Sequence, residues 1–455
     1  MKGRWMRRLF GTNGIRGRIG ETLTAELALC VGASVGTDID IGLAAIGRDC
    51  RDSGIMISQA LASGIMSTGC GVVDLGVLPT PALQYYVKTH DIAAGVIVTA
   101  SHNPPEYNGI KCVARDGTEM SQEEECRVED IYLTRNFRQA DWKSIGSMSA
   151  DPGANGAYVM GIVKLAKKFK LSGFRALVDC GNGAGALTTP RALRALGCDI
   201  QTLNAQPDGT FPGHDSEPTE DNLSDLREMC KAGGFDIGLA HDGDADRAVF
   251  VDEKGEYVTG DVELALMARE MVRKNGGGKV VVPVDTSRML GELVRKEGGE
   301  IIYTKVGSPI IARKMMATKA VFGGEGNGGM LFPEFQHCRD GLMSAVMMMS
   351  LVKGSGKPLS KLASELPKYP LRRWKTQCDT ASIPKVLETL QKEFQDGKMV
   401  DGLLVEEKDH WVLFRPSGTE PIIRLTLEAM SAGKMDSLFA KYRKMLTGAI
   451  SSSKK

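Results

Sequence analysis

The chain has 455 residues, enough for about three domains of roughly 150 residues each. Apolar residues make up 42% and charged residues 25%, which excludes a disordered chain, and the 54 glycines follow no collagen period. With 57 basic against 56 acidic residues the net charge is +1, so no global field draws the chain onto nucleic acid or an anionic membrane.

The longest apolar stretch, 345–352, falls far short of the roughly 20 residues of a bilayer span. Met1-Lys2-Gly3-Arg4 is basic, but no signal-peptide core follows it. The ten cysteines show no CxxC pair or metal-ligand spacing, and read as free thiols in a reducing, cytoplasmic compartment.

The first third alternates strand-like runs at 43–47, 71–75 and 95–99 with a helical stretch at 55–67. Such alternation predicts βαβ units, whose ligands bind beyond the carboxyl ends of the strands. The pattern restarts with a strand at 176–179, a Gly-rich turn at 181–186, a helix to about 196 and a strand at 235–240. It restarts again with strands at 279–284, 300–304 and 320–323. After Pro367 and Pro370 come a short strand, a helix at about 383–394, strands at 402–407, 411–415 and 422–429, and a helix at 434–446. Adjacent strands without helices between them predict an antiparallel sheet. The Ser-Ser-Ser-Lys-Lys end reads as frayed. The expected fold is α/β: three similar mixed-sheet domains (1–150, 151–252, 253–367) around a cleft, plus a C-terminal α+β domain (368–455).

Four segments carry candidate chemistry. In 99–111, a strand runs into a turn bearing Ser101 and His102, with Lys111 beyond it. Ser101 suits a nucleophile or phosphate carrier, or a hydroxyl that merely closes the turn. His102 is a base or a loop hydrogen-bonding group, and Lys111 a proton-transfer group or a solvated lysine. In 241–247, Asp242, Asp244 and Asp246 alternate, so in a looped segment their carboxylates can converge on a hard cation such as Mg²⁺. An acidic surface turn is the plainer alternative, and phosphatases with an Asp nucleophile share the pattern. In 323–329, glycines allow close approach of a ligand, while Glu325 and Asn327 suit sugar hydroxyls. In 415–424, Arg415, Ser417, Gly418 and Thr419 between Pro416 and Pro421 form an anion cradle or a rigid loop. Arg16 in 10–17, and Arg48 and Arg51 in 47–51, sit in Gly-bearing loops and read singly as structural.

Taken together and in order, these loops resemble the α-D-phosphohexomutase superfamily, the phosphoglucomutase/phosphomannomutase and phosphoglucosamine mutase enzymes. The N-terminal loop and the Glu325 to Gly329 loop are similar to those of archaeal-type members. The resemblance implies that Ser101 carries the phosphoryl group. It implies Asp242, Asp244 and Asp246 as Mg²⁺ ligands with a phosphoserine oxygen at Ser101, and Arg247 beside that phosphate. Glu325 and Asn327 would grip sugar hydroxyls, with Lys305 nearby. Arg415, Ser417, Gly418 and Thr419 would clamp the distal phosphate, and Arg16 and Lys111 would lie near the transferring proton and phosphate. The general base would be Lys111 first and His102 second. His337 and Arg339, shortly after the sugar loop, are placed to reach substrate, but neither is counted among the expected site residues.

The implied activity interconverts hexose 6-phosphate and hexose 1-phosphate through a 1,6-bisphosphate, with Ser101 primed by that bisphosphate or by a kinase. Glucosamine phosphate is the first expectation, mannose or glucose phosphate the second. A Mg²⁺-dependent sugar phosphatase and a non-catalytic sugar-phosphate binder are the alternatives of another class. The expected partner is a small sugar phosphate, with no nucleic acid or membrane, in a monomer or small homo-oligomer. Three departures bear on the sugar: Ser308 replaces a His or acidic residue near it, Gly329 replaces a final His, and Cys50 stands where Thr is usual.

Overall fold

β-Branched and small apolar residues at Leu43–Arg48, Gly71–Val77 and Ala94–Val98 form three parallel strands in the computed structural model, which describes residues 9–11, 13–417 and 421–453. Two antiparallel strands, Tyr107–Ala114 and then Ile15–Arg18, extend this sheet on one side, and Met148–Ala150 closes the other edge. The segment after Val98 therefore turns back into an antiparallel strand instead of entering a helix. Helices Ala25–Asp38, Gly54–Ser67 and Gln122–Thr134 cover one face. The last opens with a capping box between Ser121 and Glu124.

The second sheet runs in the order Tyr257–Val258, Ala248–Val251, Ile237–His241, Arg175–Asp179, Asp199–Leu203. Its last three strands are parallel, and a hairpin adds the first two antiparallel. The third sheet runs Gly299–Thr304, Gly278–Pro283, Phe322–Gly324, Met330–Phe332, Gln336–Arg339, again three parallel and two antiparallel. The fourth is wholly antiparallel: Leu371–Gln377, Ile422–Ala429, His410–Pro416, Leu403–Glu406, Lys398–Met399. Three mixed-sheet domains and an antiparallel fourth are thus present, as the chain pattern predicts.

One apolar cluster runs through the first three domains, joining Leu83 and Ile97 to Tyr158 and Leu239 and on to Leu264, Phe322 and Met347. Helix Gly341–Ser355 lies in its middle, capped by Asp340, which also accepts a 2.6 Å hydrogen bond from the Tyr158 hydroxyl. The fourth domain has a core of its own around Val386, Phe414 and Leu425. A small patch, Val284 with Trp411 and Leu413, joins it to the third.

The C-terminal segment departs from the expected frayed end. The final helix spans Ala432–Ser453, so Ser451, Ser452 and Ser453 are helical and not frayed. Ala449 and Ile450 are buried against the fourth-domain core and draw the helix onward. Among the described residues no helix is long and apolar enough to cross a membrane.

Candidate active site

Ser101 sits in the turn beyond strand Ala94–Val98 with a left-handed φ of 53°, fully buried. Its Oγ donates to Asp242 Oδ2 at 2.7 Å. Asp242 opens the turn after strand Ile237–His241, where Ala245 also takes a left-handed φ of 50°. That kink lets Asp242, Asp244 and Asp246 offer ligand atoms that all lie within 4.8 Å of one another, every residue buried. Gly243 is required here, because a Cβ would come within 2.7 Å of the Ser101 carbonyl.

Three buried carboxylates in one turn repel unless cations balance them. Lys111 Nζ donates to Asp244 Oδ2 at 2.7 Å and Asp246 Oδ2 at 3.1 Å. Arg339 donates to Asp246 Oδ2 at 2.6 Å. Arg247 Nε lies 3.7 Å from Asp242 and 3.8 Å from Asp246. Burial, with Asp244 and Asp246 next, drives the Asp242 carboxyl well above its ordinary range. Burial would also raise Asp244, but Lys111 and Thr80 outweigh it and pull that carboxyl below its ordinary range. Asp244 Oδ1 and Asp246 Oδ1 are buried without a hydrogen-bond partner. Two orphaned carboxylate oxygens beside a Ser101–Asp242 pair fit a divalent cation with hard oxygen ligands.

The two base candidates look different in this setting. Burial alone would lower the Lys111 amine, yet Asp244 and Asp246 hold it above its ordinary value, so it is a proton-holding cation. His102 Nδ1 lies 3.1 Å from Arg247 and 3.4 Å from Ser101 Oγ. Burial, then Arg247 and Arg16, lowers its pKa to about 2, which leaves a neutral ring whose lone pair Arg247 takes. Arg16 bonds Asn103 Oδ1 at 2.7 Å and the Ala100 carbonyl at 3.2 Å, on the rim of the serine turn.

Arg339 carries the arrangement onward. Its other amine lies 3.5 Å from Glu325 Oε2. Glu325, buried and pushed upward by that burial, lines a cavity of about 540 Å³ between the third and fourth domains. Asn327 and Arg415 line the same cavity, as do Asp261, Asp285, Thr286, Arg373, Trp374, Lys375 and Arg424. Gly328 shapes the loop: φ is 86°, and a Cβ would meet the Ala248 carbonyl at 2.6 Å. Arg415 Nε donates to Asp401 at 2.9 Å, and the same Asp401 oxygen accepts from the Val306 amide at 3.1 Å.

Lys305 is exposed, and only its neighbour Val306 lines the cavity. Ser417 is half-buried, its amide bonded to the Ile422 carbonyl at 2.9 Å. Gly418 and Thr419, like Thr12 of the N-terminal loop, lie outside the described residues. Ser308, expected near the sugar, is buried and gives its hydroxyl to Glu119 of the first domain, so it serves a domain contact.

Arg339, Thr80, Glu217, Asp285 and Asp401 were not singled out by the loop pattern. Thr80 donates to Asp244 at 2.5 Å, and Glu217 lies 3.2 Å from Arg247. Each comes from another element than its partner and has no local signature. Only Arg339 had a signal, its place just after the sugar loop.

Models of the four phosphoglucomutase/phosphomannomutase domains match in order: domain I at residues 7–139, domain II at 156–255, domain III at 259–369 and the C-terminal domain at 375–445. The chain belongs to the phosphoglucomutase/phosphomannomutase family. It is 45% identical to a protein named probable phosphoglucosamine mutase from Methanopyrus kandleri, over 94% of this chain and 95% of that one. It is 41% identical to a phosphoglucomutase/phosphomannomutase from Thermococcus kodakarensis, over 94% and 96%. A crystal structure of a phosphoglucomutase/phosphomannomutase family protein from Burkholderia thailandensis superposes with a TM-score of 0.87 at 30% identity, covering 97% of each chain. Within this family the chain is a phosphohexomutase, an isomerase that moves a phosphoryl group.

Proposed function

We propose that this phosphohexomutase interconverts glucosamine 6-phosphate and glucosamine 1-phosphate through phosphoserine at Ser101. The observation that carries the reading is Ser101 Oγ, 2.7 Å from Asp242 in a turn of converging carboxylates. That turn connects through Arg339 and Glu325 to a cavity holding both cations and carboxylates.

Asp242, Asp244 and Asp246 would hold Mg²⁺ with an oxygen on Ser101, and the ion would withdraw charge from the transferring phosphoryl group. The Ser101 oxygen–phosphorus bond breaks as a sugar hydroxyl oxygen bonds to phosphorus, and the proton of that hydroxyl passes to the Ser101 oxygen, giving a hexose 1,6-bisphosphate and a free Ser101 hydroxyl. After the bisphosphate turns over in the cavity, its other phosphate returns to Ser101. Arg16 and Arg247 flank the serine turn and balance charge on the phosphate. Lys111 keeps its proton and balances Asp244 and Asp246. Arg415, with Ser417, Gly418 and Thr419, grips the phosphate not in transfer, while Glu325 and Asn327 bind sugar hydroxyls, with Lys305 at the rim. Priming of Ser101 falls to a hexose 1,6-bisphosphate or a kinase.

Two supports favour the amino sugar. A relative 45% identical carries the phosphoglucosamine mutase name. The cavity sets Asp261 and Asp285 beside Glu325, and carboxylates suit a 2-ammonium group. No disulfide joins the cysteines among the described residues, which suits the reducing cytoplasm in which we place the enzyme.

The test is a kinetic panel with Mg²⁺ and a trace of hexose 1,6-bisphosphate, on glucosamine, mannose and glucose 6-phosphates. Glucosamine 6-phosphate is expected to give the highest kcat/KM, and Ser101→Ala to abolish turnover of all three. Faster conversion of mannose or glucose phosphate would overturn the amino-sugar preference. Inorganic phosphate as sole product, surviving Ser101→Ala, would overturn the mutase reading.

A further inference from the structure

The side chain of Arg51 is enclosed beneath the serine turn, with 2% of the residue exposed. Its guanidinium donates to four backbone carbonyls of that turn: Ser101 at 2.9 Å, Asn103 at 2.5 Å, Pro104 at 2.6 Å and Tyr107 at 2.9 Å. Its Nε donates to Asp49 Oδ2 at 3.1 Å. The same Asp49 oxygen accepts the Thr99 hydroxyl at 2.6 Å, and the Thr99 oxygen accepts the Ser101 amide at 2.9 Å. The bonds close a ring. From the Ser101 N–H the path runs to Thr99, Asp49 and Arg51, and returns to the Ser101 carbonyl. Both peptide groups flanking the serine are therefore tied to one buried ion pair.

That ring encloses a residue in a sparsely populated conformation, since Ser101 has φ of 53° and is not glycine. A left-handed serine persists only where its surroundings over-determine it. Here the ring supplies the determination, and the conformation aims Oγ at Asp242.

A second contact ties the device to the metal turn. The Arg51 guanidinium lies 4.9 Å from the ring centroid of Phe211, from the second domain. Phe211 is buried and itself left-handed, with φ of 49°. A Cβ added at Gly243, between Asp242 and Asp244, would meet both the Phe211 ring at 3.4 Å and the Ser101 carbonyl at 2.7 Å. Arg51 thus touches the serine turn with its edge and, through Phe211, packs toward the carboxylate turn with its face.

We propose that Arg51, with Asp49 and Thr99, is the positioning device that sets Ser101 for phosphoryl transfer, locked against the second domain by Phe211. Arg51 touches neither substrate nor the transferring group. It acts through the backbone of Ser101, so its loss affects the chemical step and spares sugar-phosphate binding, which belongs to the third and fourth domains. The inference rests on the phosphoserine reading above.

Lysine cannot reproduce a planar fork on four carbonyls, and Thr99→Val cuts the ring on the amide side while keeping the shape. Thr99→Ser keeps the hydroxyl. The experiment follows phosphorylation of Ser101 by hexose 1,6-bisphosphate, read by intact mass against time, together with steady-state kcat and KM and the thermal midpoint of each variant. For Arg51→Lys and Thr99→Val, phosphorylation rate and kcat are expected to fall on the order of 100-fold, the scale of a misplaced reacting group. KM should stay within about threefold, because binding contacts are untouched. Thr99→Ser should recover most of the lost rate.

Folded Arg51→Lys and Thr99→Val proteins that take the phosphoryl group at the wild-type rate would overturn the proposal. So would activity lost only in proportion to unfolded protein, or a raised KM with kcat unchanged. A wild-type enzyme that takes no phosphoryl group from the bisphosphate would overturn the phosphoserine reading, and this inference with it. The wild-type arm thus separates the two failures.

Discussion

Lys111 shows how one buried side chain sets the balance of the carboxylate turn. It is fully enclosed, and its amine sits on Asp244 and Asp246, two of the residues that would hold a cation. A single positive charge near a carboxylate in this environment is worth on the order of 4 kcal/mol at an effective dielectric near 20. Replacing Lys111 with Met leaves that repulsion for a divalent ion to relieve. Mg²⁺ or Mn²⁺ is then expected to bind at least about 10-fold more tightly, read by titration calorimetry, while turnover collapses. Unchanged ion affinity would mean that Lys111 does not balance these carboxylates. The residue was visible in the sequence as a lysine beyond the serine turn, but not its partners. Asp244 and Asp246 lie 133 and 135 positions away, and only the folded contact between domains brings them together.

Elements were more legible than contacts. Strands at 43–47 and 71–75 and the helix at 55–67 were readable because apolar periodicity reports local burial. Met148–Ala150 was not, because all three residues are exposed and no apolar pattern marks an edge strand. Arg51 was read as structural for a similar reason: four of its hydrogen-bond acceptors are backbone carbonyls, which leave no trace in side-chain identity. Helix Gly260–Lys274 holds another case. It buries Glu263 completely, with Oε1 accepting the Phe250 amide at 2.7 Å and Oε2 lacking a partner. Burial drives this carboxyl well above its ordinary range. The folded protein then keeps a proton that the unfolded chain releases near its ordinary pKa. Stability therefore falls as pH rises above that value, because the unfolded state binds fewer protons. Glu263→Gln keeps the acceptor and removes the ionisation. The variant is expected to gain on the order of 1 kcal/mol at pH 8 and to show a flatter melting temperature between pH 5 and about 8. Equal slopes for the two proteins would show that Glu263 is not the titrating group.

The molecule as a whole divides three to one. The first three domains share an apolar cluster, whereas the fourth folds around its own and touches the third through a small patch at Val284, Trp411 and Leu413. The cavity between them gathers Arg373, Lys375, Arg415 and Arg424 from the fourth domain and faces Asp261, Asp285 and Glu325 of the third. Arg373 reaches across to Asp261 at 3.2 Å, and Asp401 links Arg415 to the Val306 amide. A phosphate entering here relieves repulsion among the cations and competes with Asp401 for Arg415. Binding should therefore draw the fourth domain onto the third. Trp374 lines the cavity and reports the event, whereas Trp411 is buried in the shared patch. Titrating a hexose 6-phosphate into the enzyme is expected to change tryptophan fluorescence saturably, and Trp374→Phe should remove most of the change. Arg415→Ala should weaken binding about 10- to 100-fold, the loss of a charge-assisted hydrogen bond worth about 1.5–3 kcal/mol. A signal that persists in Trp374→Phe, or an affinity that Arg415→Ala leaves intact, would place the distal phosphate elsewhere than in this cavity.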